Sequence, residues 1–238
     1  MATEVIEVTA DSWLESGTAD SNYNSWTTLG ISDVGNSGGR KRTILSFSLS
    51  ALPSGLSLSS ANLVFKYSGR TGVTEGKKVN VYKVTQPAWV EGEVTWNSYS
   101  SGNSWSTPGG DYVTSNPSGA QITIPASFDD WEVDVQTLLQ DAIDNSLDLH
   151  LILIIEDEGV SGNYFVQSYS KEHATADPPI LTVVYSRVYP TDAITRATSL
   201  KHIYNREAGI YDLEIGLGEV AADFSIPSVE LVSKSSSP

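Results

Sequence analysis

The chain predicts an all-β fold: a jelly-roll-like antiparallel β-sandwich with one short helix, followed by a C-terminal β-hairpin extension. Three observations lead there. Blocks of period-two alternation, rich in β-branched and aromatic residues, recur at residues 4–8, 43–49, 62–67, 79–84, 121–124, 164–168 and 180–185. Between them lie Gly-, Ser-, Asn- and Pro-rich segments, such as GNSGGR at 35–40 and SYSSGNSWSTPGG at 98–110, which are expected to supply turns and little core. Only one stretch shows helical spacing. Many short strands joined by such loops characterise sandwiches and jelly rolls.

The individual elements follow from their patterns. Val135, Leu138, Leu139, Ala142, Ile143 and Leu147 share one helical face, and Asp134 precedes them as an N-cap whose carboxylate accepts from the first free amides. The next run, LHLILII at 149–155, is apolar at nearly every position, as expected of a strand covered on both faces. In WVEGEVTWN at 89–97, alternation sends Val94 and Trp96 to one side and Thr95 to the other. Trp96 therefore reads as core. Trp89, just after Pro87 and before an acidic turn, reads as a ring closing the end of the sandwich, because large aromatics each bury roughly 150–250 Å².

Composition narrows the function. At 238 residues the chain can hold one large β-domain, or a domain plus an appendage, and with no cysteine it has neither disulfides nor thiolate metal sites. Asp and Glu outnumber Lys and Arg by 29 to 14, a net charge of −15 that repels phosphate backbones, so nucleic acid is not an expected partner. The short basic run Arg40, Lys41, Arg42 accordingly reads as a solvated turn. Between residues 129 and 158 there are ten Asp and Glu and no Lys or Arg, a stretch suited either to cation binding or to solubility. No apolar run approaches the roughly 20 residues of a membrane helix, so no membrane insertion is expected. The N-terminus, MATEVIEVTADSW, begins strand-like alternation at once, with no basic and apolar leader pattern, and no cleaved export signal is expected.

Catalytic signatures do not emerge. His150, His173 and His202 are isolated from one another, and no H-E-x-x-H or P-loop pattern occurs. Carboxylates do cluster at Asp129-Asp130 and Glu156-Asp157-Glu158, but a glycosidase pair is defined by a spatial separation that sequence does not carry. The expectation is a non-enzyme needing no cofactor. Oxygen ligands around residues 11–22 could hold a structural calcium, although there is no EF-hand loop and the metal ligands stay unassigned.

The order of several motifs resembles a known family. Ala10-Asp11, Asn22-Tyr23, RTILSFSLSALP at 42–53, SSANLVFKY at 59–67, WVEGEVTWN, EVDVQTLL at 132–139 and YSKEHATADPPILTVVY at 169–185 together look like the DNRLRE-type β-sandwich domain, which is related to carbohydrate-binding module family 96. The resemblance spans residues 3–185 and includes the W-x-E-x-x-V-T-W element. It implies a jelly-roll-like ancillary module of secreted or surface proteins, in some members binding polysaccharide, and it implies no catalytic residues. A carbohydrate platform is then sought among loop aromatics. Trp26, Tyr99, Trp105 and Tyr112 lie in polar loops, where such rings either stay exposed and stack on a sugar or cover the sandwich ends.

Past residue 185 the resemblance ends, and the domain organisation expected is a sandwich at 1–185 followed by a docking or assembly segment at 186–238. The latter holds five basic and seven acidic residues, hence only −2 of the total charge. Tyr211, Leu213, Ile215 and Leu217 alternate with Asp212, Glu214 and Gly216, and a turn over 205–209 leads back from a strand at 194–204. This is a hairpin with one apolar face. Since a lone two-stranded hairpin is marginal in water, those four residues are the candidate docking surface, against the sandwich, another copy or a partner chain. The pattern T-R-x-T-S-L-x-H-x-Y, then G-x-Y-x-L-E-x-x-L-G-E, is weakly similar to segments of tail and virion proteins of tailed phages. The expected role is a virion structural protein on the particle or extracellular surface, held by its tail to other virion proteins or copies of itself, with host-surface glycan as a further partner. The alternatives are a free-standing or surface carbohydrate-binding module, and a capsid decoration or tail protein without ligand.

Overall fold

The computed structural model describes residues 1–33, 38–72, 76–114, 120–124, 130–156, 158–160 and 162–187, together with the backbone of Ala197–Asn205 and Ile210–Leu217. Two compact units result, residues 1–187 and 188–238. The first is an all-β sandwich. Its smaller sheet runs in the order β1 (Ala2–Glu7), β14 (Ile180–Arg187), β5 (Leu56–Phe65) and β11 (Trp131–Asp134). The larger runs β10 (Gln121–Thr123), β7 (Lys78–Lys83), β12 (Leu149–Ile155), β4 (Lys41–Phe47), β3 (Thr28–Ser32), β13 (Phe165–Tyr169) and β6 (Tyr67–Thr71), with β2 (Ala10–Glu15) also paired to β4. All pairings are antiparallel.

Alternation explains the smaller sheet. In β5, Ala61, Leu63 and Phe65 are buried while their neighbours are partly exposed, and in β14 Leu181, Val183 and Tyr185 do the same. They meet Leu45, Phe47, Val79, Val81, Leu149, Leu151 and Leu153 from the larger sheet to form the main core. The helix α1 (Gln136–Asp144) adds Leu138, Leu139 and Ala142, lying against β5 and β12. Its capping differs by one position from expectation: Val135 is the N-cap residue, and Asp134 Oδ1 accepts from the Gln136 amide at 2.8 Å. Of the face predicted for this helix, Leu147 lies beyond the last turn and is exposed.

Strand β12 behaves as its composition demands. It lies between β4 and β7, and while its odd-numbered residues face the main core, Ile152 and Ile154 face outward with Leu14 and Ile44. Residues 85–112 cover that outer face. The ends of this segment are pinned at one place: Val84 bridges Tyr112, the Thr85 amide donates to Asp111 O at 2.9 Å, and the Val113 amide donates to Lys83 O at 2.9 Å. Trp89, Val94, Trp96 and Trp105 fill the interior of the cover. Both tryptophans of WVEGEVTWN are therefore buried, as expected, but not as strand residues. The backbone there turns, with Glu93 N and Val94 N both donating to Val90 O, so Thr95 is buried along with its neighbours and simple alternation fails.

Two further expectations are corrected at this cover. The serine- and glycine-rich stretch 98–110 contributes core after all. It forms a small ribbon, β8 (Ser98–Ser100) with β9 (Asn103–Ser104), then folds Gly109 and Gly110 flat onto the sheet, where a Cβ on Gly110 would stand 2.9 Å from Ile152 Cδ1. Nor is the basic run a solvated turn, because Lys41 and Arg42 begin β4 and are buried. Arg42 Nε and Nη2 donate to the two carboxylate oxygens of Glu158 at 2.6 Å each, and its guanidinium lies 4.9 Å from the Trp96 ring centroid, an ion pair and a cation–π contact together. Lys41 pairs with Glu15 at 2.8 Å.

The second unit contains a hairpin, β15 (Ala197–Asn205) antiparallel to β16 (Ile210–Leu217), with Tyr204 opposite Tyr211, His202 opposite Leu213 and Leu200 opposite Ile215. Its predicted turn, residues 194–196 and the chain after Leu217 lie outside the described residues.

Trp89 also carries a titratable partner, since its Nε1 donates to His150 Nδ1 at 3.2 Å, which leaves the imidazole proton on Nε2. Burial lowers the pKa of His150 below its usual 6.5, with the nearby Asp148 charge opposing. The unfolded chain then takes up a proton that the native chain resists, so stability is complete above pH 6.5 and falls as pH drops below it. Denaturant midpoints followed from pH 7.5 to 5.5 should decline more steeply in wild type than in His150→Gln; parallel curves would contradict the assignment.

Candidate functional site

An aromatic group occupies one end of the larger sheet. Trp13 on β2 lies over β3, where a side chain at Gly30 would come within 2.3 Å of its ring, and its edge meets Phe165 on β13. Tyr23 and Trp26, joined by a turn in which the Trp26 amide donates to Tyr23 O, close over it with centroid distances of 5.2 and 5.1 Å to Trp13. Trp26 remains 51% exposed on this stacked base. Its carbonyl accepts from the Ser170 hydroxyl at 2.6 Å, so the loop that bears it is tied to the turn after β13.

Beside Ser170 an acidic group comes together from three distant places. Asp11 lies at the start of β2, Glu91 in the turn of the outer cover, and Glu172 in the turn following β13. One carboxylate oxygen of each lies within 4.8 Å of the others, the arrangement among the described residues that could hold a metal ion. The Asp11 amide donates to Glu91 Oε1 at 2.7 Å, and the Lys171 amide donates to Asp11 Oδ2 at 2.9 Å. Lys171 Nζ reaches Glu91 Oε2 at 3.1 Å and Glu172 Oε1 at 2.9 Å. Asn22 fastens the neighbouring loop, its Nδ2 donating to the carbonyls of Glu91 and Val94, each at 2.7 Å. Burial pushes the Asp11 carboxyl up to about 8, and the charges of Glu172 and Glu91 add to the effect against the Lys171 amide bond.

The four aromatics singled out from the sequence fall into three ring groups. Trp26 stacks with Trp13 and Tyr23, Tyr99 pairs with Trp105 at 5.6 Å, and Tyr112 pairs with Tyr82 at 5.2 Å. Of the two alternatives open to these rings, Trp105 takes the covering one: it is 4% exposed, and its Nε1 donates to Thr95 O at 2.9 Å inside the outer cover. Tyr99 is half-buried against it. Tyr112, also half-buried, borders a cleft of about 450 Å³ lined by Thr85, Gln86, Ser106, Thr107 and Asp111. The docking residues Tyr211, Leu213, Ile215 and Leu217 occupy alternate positions of β16. The acid-rich stretch 129–158 supplies ion pairs rather than a metal cluster among the described residues, with Asp130 on Lys66, Asp141 on Lys83 and Glu158 on Arg42. No local spacing links Glu91 and Glu172 to Asp11, although both stand in motifs that carry the family resemblance.

A model of carbohydrate-binding module family 96 matches residues 2–185. No curated protein matches the chain.

The two exposed and buried loop tryptophans should separate cleanly in stability. Trp105→Ala is expected to cost about 3–5 kcal/mol by chemical denaturation, because it opens the outer cover, and Trp26→Ala about 1 kcal/mol or less. Equal losses would mean that Trp26 is a core residue.

Proposed function

The chain belongs to carbohydrate-binding module family 96, and from that premise we propose that its sandwich binds polysaccharide, without catalysis, through the loop bearing Trp26. The supporting observation is a half-exposed indole held from behind by Trp13 and Tyr23. Such a ring offers a flat apolar face to the C–H face of a sugar, and its backing keeps the cost of ordering it on binding low. The hydroxyl-lined cleft beside Tyr112 is the second place where a chain of sugars could lie.

The C-terminal unit supports a further part of the reading, display on a virion. Its hairpin is two strands wide, and a ribbon of that size needs another surface against which to bury an apolar face. The phage-like pattern of residues 195–219 points to attachment within a tail or capsid, with the sandwich presented to host-surface glycans. The apolar positions Tyr211, Leu213, Ile215 and Leu217 are the proposed contact.

Titration with soluble polysaccharides should quench tryptophan fluorescence, and Trp26→Ala should weaken binding about tenfold, a loss of roughly 1.4 kcal/mol. Silence across a broad array of neutral and acidic glycans would overturn the binding reading and favour a ligand-free decoration protein. Removing residues 188–238 should leave a sandwich with an unchanged unfolding midpoint that no longer joins its assembly. Normal incorporation of the shortened chain would favour a free-standing module.

A further inference from the structure

Asp11 is 1% exposed, yet its Oδ1 has no hydrogen-bond partner, and the buried Oε2 of Glu172 has none either. A buried carboxylate oxygen needs a donor or a cation, because the oxygen is an acceptor that has left water behind. Lys171 does not answer the need. Its Nζ sits on the other oxygen of Glu172 and on Glu91, and only its amide touches Asp11, at Oδ2.

We propose that Asp11, Glu91 and Glu172 bind one divalent cation of the calcium class. The donors are oxygen throughout, with no imidazole or thiolate among them, which suits a hard ion, and three carboxylates from one strand and two separate turns give the irregular, adaptable geometry that calcium accepts and magnesium does not. The Asp11 and Glu172 oxygens that lack hydrogen-bond partners are the natural ligands, with Glu91 completing the protein side and water the rest. Lys171 stays on the rim, neutralising part of the charge that the ion leaves over. The site joins the start of β2, the outer cover and the turn after β13. Through Asn22 on Glu91 and Ser170 on Trp26 it also borders both attachments of the loop that carries the exposed indole. This assignment stands independently of whether the module binds a glycan.

The test uses the full chain, stripped with chelator and titrated with calcium chloride by calorimetry and thermal unfolding. A single saturable binding event is expected, with an unfolding midpoint that climbs with free calcium as mass action requires. Asp11→Asn and Glu172→Gln should each weaken binding by about tenfold or more. Glu172 is partly exposed, so its variant decides the matter should Asp11→Asn fail to fold. No heat and no midpoint shift at millimolar calcium in wild type would overturn the proposal, and so would binding of undiminished strength in Glu172→Gln, which would place the ion elsewhere on this acidic surface.

Discussion

A strand that is apolar on both sides has to be covered twice, and the rest of this molecule is organised around that requirement. The inward residues of β12 are met by the smaller sheet and the helix. Ile152 and Ile154 have no second sheet to meet, so the segment 85–112 folds over them and brings three tryptophans to fill the space. Glycine is needed where this cover touches down, since the Gly109 and Gly110 backbone has positive φ and lies against Arg42, Trp96 and Ile152. Arg42 is the polar exception inside it, tolerated because Glu158, the Gly109 carbonyl and two aromatic faces account for its charge and its donors.

The same cover helps build the end of the domain that carries the exposed ring. Its first turn delivers Glu91 to Asp11, and its carbonyls at 91 and 94 hold Asn22. The turn after β13 delivers Glu172 to the acidic group and Ser170 to the Trp26 carbonyl. An acidic group and an exposed ring therefore share one scaffold, in which distant segments are joined by single hydrogen bonds rather than by sheet ladders. The motif elements through which the chain resembles its family are largely the ones that converge here: Ala10-Asp11, Asn22-Tyr23, W-x-E and S-K-E.

What the sequence made legible was whatever depends on local period. The unbroken apolar run of β12, the alternation in β5 and β14 and the helical face of Leu138, Leu139 and Ala142 could all be read from spacing. Strand β3, and β2 beyond Trp13, lie outside the alternating blocks of the sequence. The β2 sequence ADSWLE is buried almost throughout despite its polar residues, because Asp11 accepts from the Lys171 amide and Glu15 pairs with Lys41, while the Ser12 hydroxyl bonds locally to the Trp13 carbonyl. Loop composition misled in the other direction, since a Ser- and Gly-rich segment looks solvated until a sheet face is found beneath it. Asp11, Glu91 and Glu172 are separated by 80 and 81 positions, and no periodic signal connects residues at such distances.

Because the outer cover leaves and rejoins the sheet at a single bridge, between Val84 and Tyr112, the path between those two points is free to vary in length without altering strand order. At the tip of the β8–β9 ribbon Ser101 and Gly102 are exposed, and nothing lies within 4 Å of a Cβ placed on Gly102. A peptide epitope or an extra recognition loop grafted at that tip would project from the domain while the tryptophans at its root stay seated. The fold thus carries a position where added chain need not disturb the core beneath it.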